Sequence, residues 1–139
     1  MEFKYEESFK YPTTVVLNLT DNCNLACRYC FVQQKPHYMT LDIAKKSIDF
    51  IVNNYNLKKE KNQIRKEERK TVIFFGGEPM LMYDEIIVPL INYIENTYDL
   101  NEFNLHITTN GTLLNKERID FLKKYNIFPL LSIDGGKQT

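Results

Sequence analysis

Four short apolar runs, each followed by a polar, glycine- or cysteine-bearing cluster, punctuate this chain. TTVVLNL (residues 13–19) is rich in β-branched residues and reads as a buried strand; TVIFF (71–75), FNLHITT (103–109) and IFPLLSI (127–133) read the same way. Between the runs the apolar spacing changes to that of a helix. Ala44, Ile48, Ile51, Val52 and Tyr55 share one face, and Thr40 stands where an N-cap belongs, which predicts a helix from Thr40 to near Asn56. Ile87, Leu90, Ile91, Ile94 and Tyr98 predict a second over roughly 84–98, with Pro89 tolerable in its first turn. KERIDFLKKY predicts a short third over 116–125.

The order β-α-β-α-β-α-β implies an α/β fold whose strands pair in parallel through right-handed crossovers. The clusters CNLACRYC, GGEP, TNG and SIDGG each follow a strand and precede the next helical stretch. In a parallel sheet all such positions lie at the C-terminal edge, where these folds place their sites. After the fourth strand no further helix is predicted to cover the sheet. The chain is therefore expected to be the front portion of a longer protein, or to have that edge covered by another chain.

Composition narrows the setting. The chain has 139 residues, 43% hydrophobic and 26% charged, with a formal net charge of zero. That balance gives no field to attract nucleic acid or an anionic membrane surface. No run approaches the roughly 18 apolar residues of a membrane span, and MEFKYEESFKYPTT has no apolar signal region. A cytoplasmic, reducing setting is expected, and an odd number of cysteines argues against a disulfide framework. Residues 1–12 read as an N-terminal arm and 13–139 as one domain. The charged run 58–70, KKEKNQIRKEERK, reads as a solvated helix extension or insertion rather than a nucleic-acid tail.

All three cysteines, Cys23, Cys27 and Cys30, stand in one C-x3-C-x2-C cluster directly after the first strand. Regular close spacing makes three unrelated buried cysteines a poor account. A thiol–disulfide pair would use Cys27 and Cys30 and leave Cys23 unexplained. A zinc site could add His37 as its fourth ligand. A [4Fe–4S] cluster held by three thiolates would leave one iron open to a small molecule.

This cluster, with an aromatic before its last cysteine, resembles the signature of the radical S-adenosylmethionine (radical SAM) superfamily. Gly76-Gly77-Glu78-Pro79 resembles that family's GGEP motif, Thr109-Asn110-Gly111 its TNG element, and Ser132-Ile133-Asp134-Gly135 its SxDG element. The four occur in family order, each at the end of its own strand, over about Thr13 to Gly135. The combination is most similar to members that modify peptides or proteins, the anaerobic sulfatase-maturating enzymes and the SPASM-type maturases.

The resemblance implies an incomplete parallel (β/α) partial barrel of about four strands and three helices, short of the usual six strands and apparently truncated. With no cysteine after Cys30, no auxiliary-cluster domain is expected in this chain. The resemblance further implies a [4Fe–4S] cluster on Cys23, Cys27 and Cys30, with SAM chelating the open iron. Reductive cleavage of SAM to a 5′-deoxyadenosyl radical would then permit hydrogen abstraction from a peptide or protein substrate. The electron would come from a donor such as flavodoxin or ferredoxin. Gly76 and Gly77 would let the SAM amine approach the backbone, and Glu78 would bond that ammonium. Tyr29 would pack near the adenine and Ser132 would bond the ribose. Asn110 and Asp134, on the same rim, are candidates to touch cofactor or substrate. His37 and His106 are expected to be structural, His106 facing the core or a helix. The alternatives are a non-catalytic zinc module on the three cysteines and His37, or an inactive truncated product.

Overall fold

The computed structural model describes residues 10–134. Residues 1–9 of the expected arm, and Gly135 and Gly136 of the last loop, lie outside the described residues. Strands β1 (Thr14–Asn18), β2 (Lys70–Phe75), β3 (Phe103–Thr109) and β4 (Ile127–Leu131) form one sheet in the order β1-β2-β3-β4, every pair parallel. Helices α1 (Leu41–Glu60), α2 (Val88–Thr97) and α3 (Lys116–Lys124) make the three crossovers. This is the expected α/β partial barrel of four strands and three helices.

Strand alternation decides which side chains meet the helices. Leu17, Val72, Phe74, Leu105 and Ile107 are buried with Ile48 and Ile51 of α1 and Leu90, Ile91 and Ile94 of α2 in one core. Each such side chain contributes roughly 1.5–3 kcal/mol through removal from water. The intervening residues form the other face, where register aligns Val16, Ile73, His106 and Phe128 in one row. Val16 and Phe128 remain more than half exposed. His106 therefore does not face the core or a helix. It stands on the helix-free face, edge-on to Phe128 with ring centroids 6.0 Å apart, because Phe103, Leu105 and Ile107 take the alternate positions toward the core.

Element boundaries depart from the apolar pattern in explicable ways. Helix α1 runs past Asn56 to Glu60, with Lys58 and Lys59 in its last turn, where cations meet the negative end of the helix dipole. Lys70, the last residue of the charged run, belongs to β2 and is fully buried. Its ammonium bonds Glu102 at 2.7 Å and lies over the Tyr55 and Phe103 rings. The second helix is not uniform. It enters through a 3-10 turn (Pro79–Met82) and a π turn (Tyr83–Ile87) before α2 begins. Pro89 has no N–H to close an α-helical bond to residue 85, and the irregular entry lies where that donor is missing.

Strands β1 and β4 are shorter than expected, but single backbone bonds prolong both. Leu19 N–H donates to Phe75 O and Ser132 N–H donates to Thr109 O, each at 2.9 Å. With Ser132 pointing its N–H at β3, alternation turns the donor-less nitrogen of Pro129 to the open edge, the position a strand proline tolerates.

Candidate active site

The loop after β1 leaves the sheet at its C-terminal edge and is pinned by Thr20. Thr20 Oγ1 donates to His37 O at 2.9 Å and accepts from Asn22 N–H at 3.0 Å, while Thr20 itself bridges Tyr38. The cysteine segment is thus a closed excursion whose two ends meet. Within it Asn22 Oδ1 accepts from Cys23 N–H at 3.0 Å, and Cys30 N–H donates to Cys27 O at 3.1 Å. All three thiols are free; Cys23 is half-buried, and Cys27 and Cys30 are exposed. Tyr29 is 68% exposed, so it is not a core aromatic.

The GGEP loop after β2 packs directly on this excursion. Gly77 N–H donates to Thr20 O at 2.8 Å and Glu78 N–H to Asn22 O at 2.9 Å. A Cβ on Gly76 would lie 2.5 Å from Thr20 O, and one on Gly77 would lie 2.2 Å from Asn22 O. Both glycines are therefore required by the neighbouring loop's backbone, and Gly76 also by its φ of +140°. The close approach expected for a ligand is made here by the chain itself.

Glu78 likewise ties the neighbouring loops together. Its carboxylate is fully buried. Oε1 accepts from Thr109 Oγ1 at 2.6 Å and from Met80 N–H at 3.1 Å, and Oε2 accepts from Asn110 N–H at 2.8 Å. One side chain thus caps the turn at Pro79 and fastens the loop after β2 to the loop after β3. An ionised carboxylate has about four acceptor sites; three are taken.

The TNG loop closes the arrangement. Asn110 Nδ2 lies 3.0 Å from Asn24 Oδ1 and 3.8 Å from Cys23 Sγ, so the loop after β3 reaches the first cysteine. Three of the four clusters are joined in this way by hydrogen bonds. The fourth joins through the Ser132–Thr109 backbone bond, and the Ser132 and Asp134 side chains are exposed on the rim. Signals for Asn22, Asn24 and Thr112 were present only as unremarkable polar residues beside the motifs, and their roles come from contacts across the edge.

A cavity of about 350 Å³ opens between the cysteine loop and the sheet edge, with Asn18, Asp21, Phe31, His37, Gly76 and Gly77 among its lining residues. His37 is thus a cavity residue as well as a loop anchor. Its Nδ1 lies 3.2 Å from Asp21 Oδ2, and Asn18 Nδ2 donates to Asp21 Oδ1 at 3.1 Å. Among the described residues no three His, Cys, Asp or Glu side chains converge on a point that one metal ion could occupy. A single zinc needs its donors within about 2.0–2.3 Å of one centre. In an iron–sulfur cube each thiolate binds its own iron, so the sulfurs stand further apart. Three free thiols on one loop, outside the core, suit the cube by donor chemistry.

The profile of the Radical SAM superfamily matches residues 17–139. The chain belongs to the radical SAM superfamily. It is 32% identical over 126 residues to a cysteine-type anaerobic sulfatase-maturating enzyme of Clostridium novyi, covering 86% of this chain and 31% of that protein. It is 30% identical over 133 residues to the radical SAM cyclopropyl synthase TigE of Paramaledivibacter caminithermalis, covering 90% of this chain and 28% of that one. The chain thus spans about a third of the length of these curated relatives. Native anSMEcpe with bound AdoMet and the Cp18Cys peptide superposes with a TM-score of 0.65 at 21% identity, over 90% of this chain and 32% of that one. At that identity the likeness is one of fold. Among the described residues no helix is long and apolar enough to cross a membrane.

Proposed function

We propose that this radical SAM chain binds a [4Fe–4S] cluster through Cys23, Cys27 and Cys30, and SAM beside it, as the front of an enzyme acting on a peptide or protein. The observation that carries this reading is the interlock at the sheet edge. The loop bearing three free thiols is hydrogen-bonded to the GGEP and TNG loops, so the residues proposed for cluster and SAM form one unit. Cys23, Cys27 and Cys30 would hold the cluster, which when bound would supply the one electron for reductive cleavage of the S–C5′ bond of SAM, with methionine leaving, and so hydrogen-abstraction chemistry toward the substrate.

The chain's own residues position and enclose. Thr20, Gly77 and Glu78 hold the thiol loop against the sheet, and the cavity bounded by Asn18, Asp21, Phe31 and His37 offers both polar groups and an aromatic face to a nucleoside. Tyr29 and Ser132, both exposed, are proposed for adenine and ribose, and Asp134 for the rim. The helix-free face, with Val16, Phe128 and Leu130 exposed, is the wall toward which the substrate would enter. A peptide or protein substrate is supported by relatives named as a sulfatase-maturating enzyme and as the subtilosin biosynthesis protein AlbA of Bacillus subtilis. A small electron carrier such as flavodoxin or ferredoxin would reduce the cluster.

Anaerobic reconstitution with iron and sulfide tests the proposal. About four irons per chain are expected, together with dithionite-dependent release of 5′-deoxyadenosine from SAM. Zinc at one per chain, lost in His37→Ala, would overturn it.

A further inference from the structure

A closed ring of side-chain hydrogen bonds stands beside one of the three sulfurs. Asn24 Nδ2 donates to Thr112 Oγ1 at 2.7 Å, Thr112 Oγ1 donates to Asn110 Oδ1 at 2.7 Å, and Asn110 Nδ2 donates to Asn24 Oδ1 at 3.0 Å. Each donor meets an acceptor and the direction is the same all the way round. Which end of an asparagine amide is nitrogen must be inferred from its partners. Here the backbone N–H of Thr112, which can only donate, lies 3.0 Å from Asn110 Oδ1. The other end of the amide is therefore the NH2 group, and it faces Cys23 Sγ at 3.8 Å. The backbone N–H of Leu25 approaches the same sulfur at 3.4 Å. Asn110 is also held through its own backbone, whose N–H donates to Glu78 Oε2.

We infer that Asn110 acts on the cluster through Cys23, donating an N–H···S hydrogen bond to that thiolate and raising the cluster's reduction potential. The inference rests on the proposed role of Cys23 as an iron ligand. An electron added to the cluster increases the negative charge carried by its sulfurs, so a donor aimed at one of them favours the reduced form. Hydrogen bonds to sulfur and solvent exposure are among the features that set such potentials. Cys23 is the least exposed of the three cysteines, where a donor is screened least. Asn110 is thereby given a target different from direct contact with SAM or substrate.

The test compares wild type, Asn110→Leu and Thr112→Val, each reconstituted anaerobically, assayed for iron, and titrated with dithionite while the reduced cluster is followed by electron paramagnetic resonance. Leucine keeps the branched outline of Asn110, with bulkier methyl groups, and removes the donor. The expected result is a more negative potential at unchanged iron content, with up to tenfold less reduced cluster at a given poise, about 59 mV for a one-electron couple. Thr112→Val leaves the backbone N–H that orients the amide but opens the ring, and a smaller shift of the same sign is expected. An unchanged potential in a fully loaded Asn110→Leu protein would overturn the inference while leaving the proposed function intact. Should Asn110→Leu fail to retain iron, an unchanged potential in Thr112→Val would do the same. A wild-type chain that takes up no cluster would overturn both.

Discussion

Gly77→Ala separates two reasons for a glycine at the start of the GGEP loop. Gly77 is not among the positive-φ glycines, which among the described residues are Gly76 and Gly111, so alanine there brings no backbone strain and only a methyl group. That methyl would sit 2.2 Å from Asn22 O, 2.7 Å from Asn22 C and 3.0 Å from Asp21 O, all backbone atoms of the cysteine loop. Favourable carbon contacts lie near 3.5–4.0 Å, so the two loops must part by about 1 Å or more. Parting breaks the Gly77–Thr20 and Glu78–Asn22 backbone bonds of 2.8 and 2.9 Å. Overpacking costs about 1–3 kcal/mol, and each lost hydrogen bond about 0.5–1.5 kcal/mol. The metal-free protein should therefore lose about 2–6 kcal/mol of stability.

Urea unfolding of the metal-free chain, followed by circular dichroism, measures that loss as a lower midpoint at similar slope. If the glycine serves only the approach of a ligand, the metal-free midpoint will not move and only SAM affinity will fall. A metal-free Gly77→Ala protein whose midpoint matches wild type would refute the packing account.

Glu78→Gln replaces one acceptor oxygen with an amide that faces an N–H or O–H donor, because the carboxylate accepts from Thr109, Met80 and Asn110 together. A loss of about 1–3 kcal/mol is expected with reduced iron retention, and a loss below about 0.5 kcal/mol would show that the carboxylate does not bind the loops together. At the other end of the sheet, burial works to raise Glu68, but Lys58, the Arg65 N–H and the Thr13 hydroxyl outweigh it and hold its carboxyl below the ordinary 4.5. A depressed folded value means its stabilisation is complete above the unfolded value and is lost as pH falls through the lower folded one. Stability should thus fall with acid below about pH 4.5, and Glu68→Gln should flatten that slope; an identical slope in the variant would count against it.

Much of the fold was legible because apolar spacing and β-branching act locally. The stripe from Ala44 to Val52 on α1 follows from helical periodicity alone, and the four apolar runs all lie in strands. Less was legible where a local signal met a nonlocal constraint. Pro89 marked the start of a helix but not the π turn before it. Lys70 read as part of a solvated run, yet its ammonium finds Glu102 and two rings inside, partners that lie far along the chain. His106 was assigned to the core because its strand is buried, and only the parity of its neighbours decides otherwise.

The same division runs through the candidate site. The sequence alone singled out the candidate residues and their clustering at strand ends, because thiols, glycine turns and strand periodicity are written in residue type and spacing. The tertiary structure decided what each does. It placed Gly76 against the backbone of Thr20 and Gly77 against that of Asp21 and Asn22, turned Glu78 inward to join two loops, and aimed Asn110 at Cys23. Those assignments depend on which loops the parallel sheet brings side by side, and contacts between residues as distant as Cys23 and Asn110 exist only after the strands have paired.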